Sequence, residues 1–235
     1  MIEIRMDGPG KNSLGTTMMT FLVEQLRAAG GQPVLLTGAG DAFSAGLNLR
    51  EVAAAEGESM LAFLRLLEET MTTLFLYPGP TVAAVNGHAI AGGCVLTLCC
   101  DHRIMTTSPR AKIGLNETAL GVRFPPRTFQ AVRRRLSPQH AERVLLGADL
   151  FDPAGALAVG LVDELADDPV AAGRKRLSVL EGHPRDVYAL TKGDLRGAAP
   201  EDLVADEPHD RALRAAAELW SGSDVRQKLR MLVGK

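Results

Sequence analysis

The sequence predicts an α/β fold built on parallel strands, and three observations carry that expectation. Two short apolar runs, 33–37 (PVLLT) and 82–85 (VAAV), have the unbroken hydrophobicity of strands buried on both faces of a parallel sheet. Segments with helical spacing lie before and between them, long enough to serve as crossovers. The small-residue turn Ala91-Gly92-Gly93 opens straight into a further apolar run, giving the order strand, turn, helix.

The remaining elements follow in chain order. Ile2, Ile4 and Met6 alternate with charged residues, the period of a half-buried strand, and the breaker 8–13 (GPGKNS) ends it. Residues 16–29 carry Met19, Phe21, Leu22 and Leu26 at helical spacing and are closed by Gly30-Gly31. Residues 38–48 (GAGDAFSAGLN) read as a glycine-rich connection ending in the turn Ser44-Ala45-Gly46-Leu47. An amphipathic helix over 59–76 places Leu61, Leu64, Leu67, Met71 and Leu74 on one side. Beyond the turn at Asn86-Gly87 and the helix opening at Gly92, a strand at 103–105 leads into 111–121 (AKIGLNETALG). Phe124-Pro125-Pro126 precedes a helix to about Leu136, whose Arg133, Arg134 and Arg135 read as a solvated or subunit-facing patch. Short helices are expected at 137–146, 152–159 and 169–180, with a strand at 161–165. From Pro184 the chain reads as helical, with breaks at 197–200 and 221–223. No linker separates independent domains, so the expectation is a core over 1–183 with a helical subdomain over 184–235.

Composition excludes several functions. Over 235 residues, 26 Lys and Arg stand against 28 Asp and Glu, and a formal net charge of -2 gives no bulk attraction to nucleic acid or an anionic membrane. Cys94, Cys99 and Cys100 sit among apolar neighbours without metal-ligand spacing and read as buried thiols in a reducing compartment. The first residues alternate charged and apolar side chains, unlike a secretory leader, and the longest apolar run is far short of the ~20 residues a membrane span needs. A cytoplasmic protein without a resident metal is expected. Any anion site is therefore local, and the glycine-rich helix start is the place for one, because its outward N–H groups and the helix dipole favour negative charge.

Three segments, 42–49 (AFSAGLNL), 83–104 (AAVNGHAIAGGCVLTLCCDHRI) and 111–122 (AKIGLNETALGV), resemble the enoyl-CoA hydratase/isomerase (crotonase) superfamily. Residues 152–165 (DPAGALAVGLVDEL) resemble the helix and strand after that family's catalytic region, and 11–14 its early Asn-containing loop. The resemblance implies a crotonase-like spiral of repeated strand-strand-helix units topped by C-terminal helices, assembled as a trimer or dimer of trimers. It also implies an acyl-CoA thioester substrate, with coenzyme A entering as part of that substrate and no separate cofactor.

Carried over residue by residue, the family's two oxyanion-hole amides fall on Leu47 and Gly92. Removing a proton from an unsaturated thioester puts negative charge on the thioester oxygen, and two fixed amides hold it. Family hydratases position one water with two glutamates; here the first position is Val95 and the second is Glu117. The stretch IGLNETALG, with Val95 upstream and Phe124-Pro125-Pro126 downstream, is similar to mitochondrial-type 3,2-trans-enoyl-CoA isomerases, which work with a single glutamate. The resemblance thus implies Glu117 as both acid and base, with Asn116 either orienting it or shaping the turn. It places the Ala45 carbonyl at the adenine and Arg50 near the CoA phosphates. Phe63, Leu67, Met71 and Phe124, with Val95 and Asn116, are the candidate lining of the acyl pocket. Lys228 and Lys235 read as surface lysines, His88 as a buried hydrogen-bonded histidine, and Asp101, His102 and Arg103 as structural charge pairing. Hydration, decarboxylation or hydrolysis through the same enolate stays open at this point, as does a non-catalytic acyl-CoA-binding or RNA-binding member of the fold.

Overall fold

The computed structural model describes residues 1–197 and 207–233, with short turns α1 (Pro9–Asn12) and α8 (Ala141–Leu145) among its helices. Strands β1 (Ile2–Met6), β2 (Val34–Gly38), β4 (Thr81–Val85), β6 (His102–Thr106) and β8 (Glu164–Ala166) form one parallel sheet in the order β1-β2-β4-β6-β8. Strands β3 (Ala42–Ser44), β5 (His88–Ile90) and β7 (Ile113–Gly114) form a second parallel sheet in the order β3-β5-β7. The chain visits the two sheets alternately. Each pair, β2 with β3, β4 with β5 and β6 with β7, is followed by a helix: α3 (Leu49–Ala54), α5 (Gly92–Cys99) and α6 (Glu117–Leu120) respectively. This is the strand-strand-helix spiral.

β2 and β4 are buried at every position, as their unbroken apolar runs require. Side chains alternate between the two faces of the sheet. Leu35, Val82, Ala84 and Ile104 meet Leu177 of α10 (Pro169–Leu180) on one face. Leu36, Ala83, Val85 and Met105 join the main core on the other, with α2 (Thr16–Ala29) and α4 (Gly57–Phe75). α4 buries Leu61, Leu64, Leu67, Met71 and Leu74 along one stripe, and packs between α2 and the C-terminal layer.

That layer comprises α11 (Arg185–Arg196), α12 (Glu207–Trp220) and α13 (Ser223–Val233). α12 packs on α4 and on α7 (Pro126–Arg135), while α13 packs on α3 and α6. Trp220 Nε1 donates to the Arg123 carbonyl at 2.7 Å where α12 ends, so the expected break at 221–223 separates α12 from α13. Of the break expected at 197–200, residues 198–200 lie outside the described residues, as does Lys235.

Four expectations need correction. The second sheet falls in segments read as turns and connections, because strands of two or three residues beside glycines are too short to show a period. α3 follows where no element is expected, just after the connection read over 38–48, started by Asn48, whose Oδ1 accepts the Arg50 and Glu51 N–H groups. β8 begins at Glu164 rather than 161, since Leu161 and Val162 are spent on core packing behind α9 (Pro153–Ala158). Arg135 is no solvated patch: it donates to the carbonyls of Leu98, Cys100 and Asp101 and so closes the C-terminal end of α5.

Asp101 is structural, as expected, and heavily engaged. Its Oδ2 accepts from the Thr81 N–H, Tyr188 and Lys192, and its Oδ1 from Arg196 at 2.6 Å. Lys192 and Arg196 are both buried, so this cluster pins α11 to the end of α5. Arg103 pairs with Asp163 in the same structural manner. The three cysteines are buried free thiols. Among the described residues, no helix is long and apolar enough to cross a membrane, and no group of three His, Cys, Asp or Glu side chains is placed to hold a metal ion.

Candidate active site

The small sheet assembles the site. Ser44, Ala89 and Ile113 stand side by side on its three parallel strands. From that row the chains run on in one direction, reaching Leu47 three residues later, Gly92 three residues later and Glu117 four residues later. Segments separated by some seventy positions in sequence thereby meet at the C-terminal edge of one sheet, where loop residues converge in α/β folds.

The loop bearing Leu47 is held from both sides. Asn12, buried in the loop after β1, donates its Nδ2 to the carbonyls of Ala39 and Ala42, each at 2.9 Å, and its own carbonyl accepts the Ser44 hydroxyl at 2.8 Å. Asn86 adds a second fastening, accepting the Gly38 N–H and donating to the Gly40 carbonyl, each at 3.0 Å. Leu14 N–H donates to the Gly46 carbonyl at 2.7 Å and the Asn48 N–H donates to the Leu14 carbonyl at 3.0 Å. In such a parallel bridge the peptides on either side of Leu47 are used, and the N–H of Leu47 itself faces away from Leu14. Gly46 has φ 92, and a Cβ there would stand 2.6 Å from the Ile90 carbonyl oxygen, so only glycine fits this close approach to β5.

The second amide belongs to Gly92, the first residue of α5, whose N–H has no acceptor within the helix. Ala91 precedes it with φ 50 and ψ -117, a conformation unusual for a residue with a Cβ. It is fixed by its N–H donating to the Gly114 carbonyl at 2.8 Å and its carbonyl accepting the Val95 N–H at 3.0 Å. Gly93 lets α5 lie directly on β3, since a Cβ there would come within 2.3 Å of the Ser44 carbonyl oxygen.

Glu117 opens α6 and is buried, with 6% of its surface exposed, and its Oε2 has no hydrogen-bond partner among the described residues. Burial pushes its carboxyl up to about 8, against a hydrogen bond from its own backbone N–H that lowers it. Asn116 is the residue before the helix, yet its side chain does not cap it, and its Oδ1 is enclosed without a donor. Buried acceptors without donors are uncommon, and a catalytic role or a bound water is among their explanations. Cys94, two residues into α5, is close enough that the charge of Glu117 reinforces the upward push of burial on its thiol. Val95 is 1% exposed and supplies apolar surface one turn along α5 from Gly92.

Of the other predicted residues, Phe63, Leu67 and Met71 line the buried stripe of α4, in the same core cluster as Val95. Phe124 packs against that cluster, half-buried, with its ring 6.0 Å from Phe129. Ala45 is half-buried and donates its N–H to the Lys11 carbonyl, while Arg50 is exposed in the first turn of α3. Lys228 is exposed on α13, but its Nζ lies 3.5 Å from where a Cβ of Gly121 would stand, at the end of the turn carrying Glu117. His88 departs from expectation: it is half-buried and its Nδ1 is enclosed without a hydrogen-bond partner. Asn12 and Asn86, visible in sequence only as parts of a family-like loop and a turn, are the residues whose side chains fasten the site, because an asparagine in a glycine-rich breaker can replace missing backbone partners.

The strand-strand-helix spiral thus brings the Leu47 and Gly92 segments and the Glu117 carboxylate to one edge of the small sheet. The sequence profile described as enoyl-CoA hydratase/isomerase matches residues 1–215, and the chain belongs to that family, the crotonase superfamily. It is 30% identical over 214 residues to the human protein named enoyl-CoA delta isomerase 1, mitochondrial, covering 88% of this chain and 71% of that one. It is 31% identical over 212 residues to a probable enoyl-CoA hydratase of Mycobacterium tuberculosis, covering 88% and 82%. The crystal structure of human mitochondrial delta3-delta2-enoyl-CoA isomerase superposes with a TM-score of 0.90 at 29% identity, over 99% of this chain and 92% of that one.

Proposed function

We propose that this protein isomerises 3-enoyl-CoA thioesters to trans-2-enoyl-CoA, with Glu117 as the single acid and base. The observation that carries this reading is an enclosed carboxylate without a partner: Glu117 is 6% exposed and its Oε2 has no hydrogen-bond partner among the described residues. The ionised carboxylate takes a proton from C2, and the electron pair moves onto the thioester oxygen as a dienolate. The Leu47 and Gly92 N–H groups hold that oxygen, each such donor being worth roughly 2.7 to 4 kcal/mol in well-studied hydrolases. The neutral carboxyl then delivers its proton to C4, and the double bond has moved from C3–C4 to C2–C3. A carboxyl near neutrality suits both half-steps, because neither its loss nor its gain of a proton is strongly uphill.

Ala45 and Arg50 face the CoA moiety in this reading, and Phe63, Leu67, Met71 and Phe124 the acyl chain. α13 roofs the site, since it packs on both α3 and α6. Assembly as a trimer or dimer of trimers would cover the exposed Val187, Leu190 and Leu195 of α11. A second reading, hydration of 2-enoyl-CoA, is favoured by the equal similarity to the mycobacterial protein named as a hydratase. The two separate when purified protein is given 3-hexenoyl-CoA and crotonyl-CoA. Double-bond migration in the first without hydration of the second is expected; hydration of crotonyl-CoA with no migration would overturn the isomerase reading.

A further inference from the structure

Leu14 touches both halves of the oxyanion hole. Its backbone brackets Leu47, accepting from Asn48 N–H and donating to Gly46 carbonyl, while its side chain lies against Gly92, with Cδ1 3.1 Å from where a Cβ of Gly92 would stand. It is wholly buried, so neither contact is exchanged with solvent. We propose that Leu14 is a positioning residue that sets the separation of the Leu47 and Gly92 amides, the backbone fixing one and the side chain the other. The inference rests on the oxyanion role proposed for those two amides.

The segment leading into Leu14 is built for such a task. Gly10, Lys11 and Asn12 have φ of 64, 57 and 60, three left-handed residues in succession, two of them carrying a Cβ. L-residues enter this region singly as a rule, so a run of three is strained. The strain is held by the side-chain bonds of Asn12, by the Lys11–Asp41 ion pair at 2.9 Å, and by the Lys11 carbonyl accepting the Ala45 N–H at 3.0 Å. All three fastenings run to β3 or the turns flanking it, so the strained turn and the oxyanion loop form one unit, and Leu14 joins Ser44 and Leu47 in carrying that unit onto α5.

The test uses a 3-oxoacyl-CoA such as acetoacetyl-CoA, whose C2 proton is acidic enough for the enolate to be followed by its absorbance. Bound to the native protein, this probe ionises at a lower pH than in water. In Leu14→Ala the bound enolate is disfavoured by about tenfold, given that a misplacement of about 1 Å costs on the order of 10²-fold. Affinity for saturated butyryl-CoA changes by less than about threefold, because that ligand develops no charge. Leu14→Val, which removes less volume, shifts ionisation the same way by a smaller factor, and the volume-conserving Leu14→Met restores it. Leu22→Ala, a core truncation in α2, lowers thermal stability without shifting the enolate. Native-like ionisation in Leu14→Ala and Leu14→Val, or an equal shift in Leu22→Ala, would refute the role of Leu14 alone. Failure of the native protein to favour the bound enolate would sink the oxyanion reading with it.

Discussion

Leu47 packs its side chain against the bare Cα of Gly92: a Cβ on Gly92 would stand 3.3 Å from Leu47 Cδ2 and 3.1 Å from Leu14 Cδ1. Both neighbours are ends of leucine side chains, which yield by a few tenths of an ångström. Gly92→Ala therefore folds, with a change in stability of about 1 kcal/mol or less, but displaces one amide relative to the other. Turnover of 3-hexenoyl-CoA is expected to fall between roughly tenfold and hundredfold at nearly unchanged KM. Steady-state kinetics beside thermal denaturation check both parts.

The enclosure of Glu117 has opposite consequences for activity and stability. As the base it must be ionised, so kcat/KM rises with pH and levels off above a midpoint near 8 in the free protein. Glu117→Gln flattens the profile and lowers activity by on the order of 10² to 10⁴. For stability, the carboxyl is raised from an ordinary 4.5 to about 8. Below 4.5 both folded and unfolded chains carry the proton and nothing is lost. As pH rises toward 8 the unfolded chain ionises and the folded one does not, so stability falls across that window. Glu117→Gln removes this dependence and is more stable at pH 8, by an amount on the order of a few kcal/mol. Denaturant titrations at pH 5 and pH 8 give the comparison.

Val95 stands on α5 one turn beyond Gly92, where the family's hydratases carry their first glutamate, and is 1% exposed. If the isomerase reading holds, Val95→Glu introduces a second carboxyl into the site, which burial holds toward its neutral form. The variant is expected to lose roughly 2 kcal/mol or more of stability and to gain measurable hydration of crotonyl-CoA. An unfolding curve and a hydration assay read the two effects separately. Unchanged isomerisation with no hydration would mean that position 95 does not choose between the reactions.

Asp101 faces two buried cations, Lys192 and Arg196, at 2.8 and 2.6 Å. Asp101→Ala strands both charges and is expected to cost about 3 to 5 kcal/mol, seen as an earlier unfolding midpoint. Lys192→Met in the same background removes one of the two stranded cations and recovers part of the loss, leaving only Arg196 buried without its carboxylate.

Part of this molecule was legible in its residues alone. The large sheet and the long helices α2 and α4 follow from apolar runs and helical spacing, signals carried by neighbouring residues. The turns at Gly46 and Gly92 were visible as small-residue breaks, and likeness to family motifs singled out Leu47, Gly92 and Glu117. Arg135 and His88 show the limit. A basic triplet looks solvated until the end of α5 is found beneath it, and a histidine's partner cannot be read from its neighbours in sequence.

Local pattern thus determined which segments are strands, helices and tight turns, since each depends on residues within a few positions. Tertiary structure alone decided the small sheet, whose strands are too short to announce themselves and exist only by pairing with distant segments. It also decided the bracket that Leu14 places around Leu47 and the burial that raises Glu117. Amide separation and desolvation are properties of several remote segments meeting, and no single stretch of chain carries them.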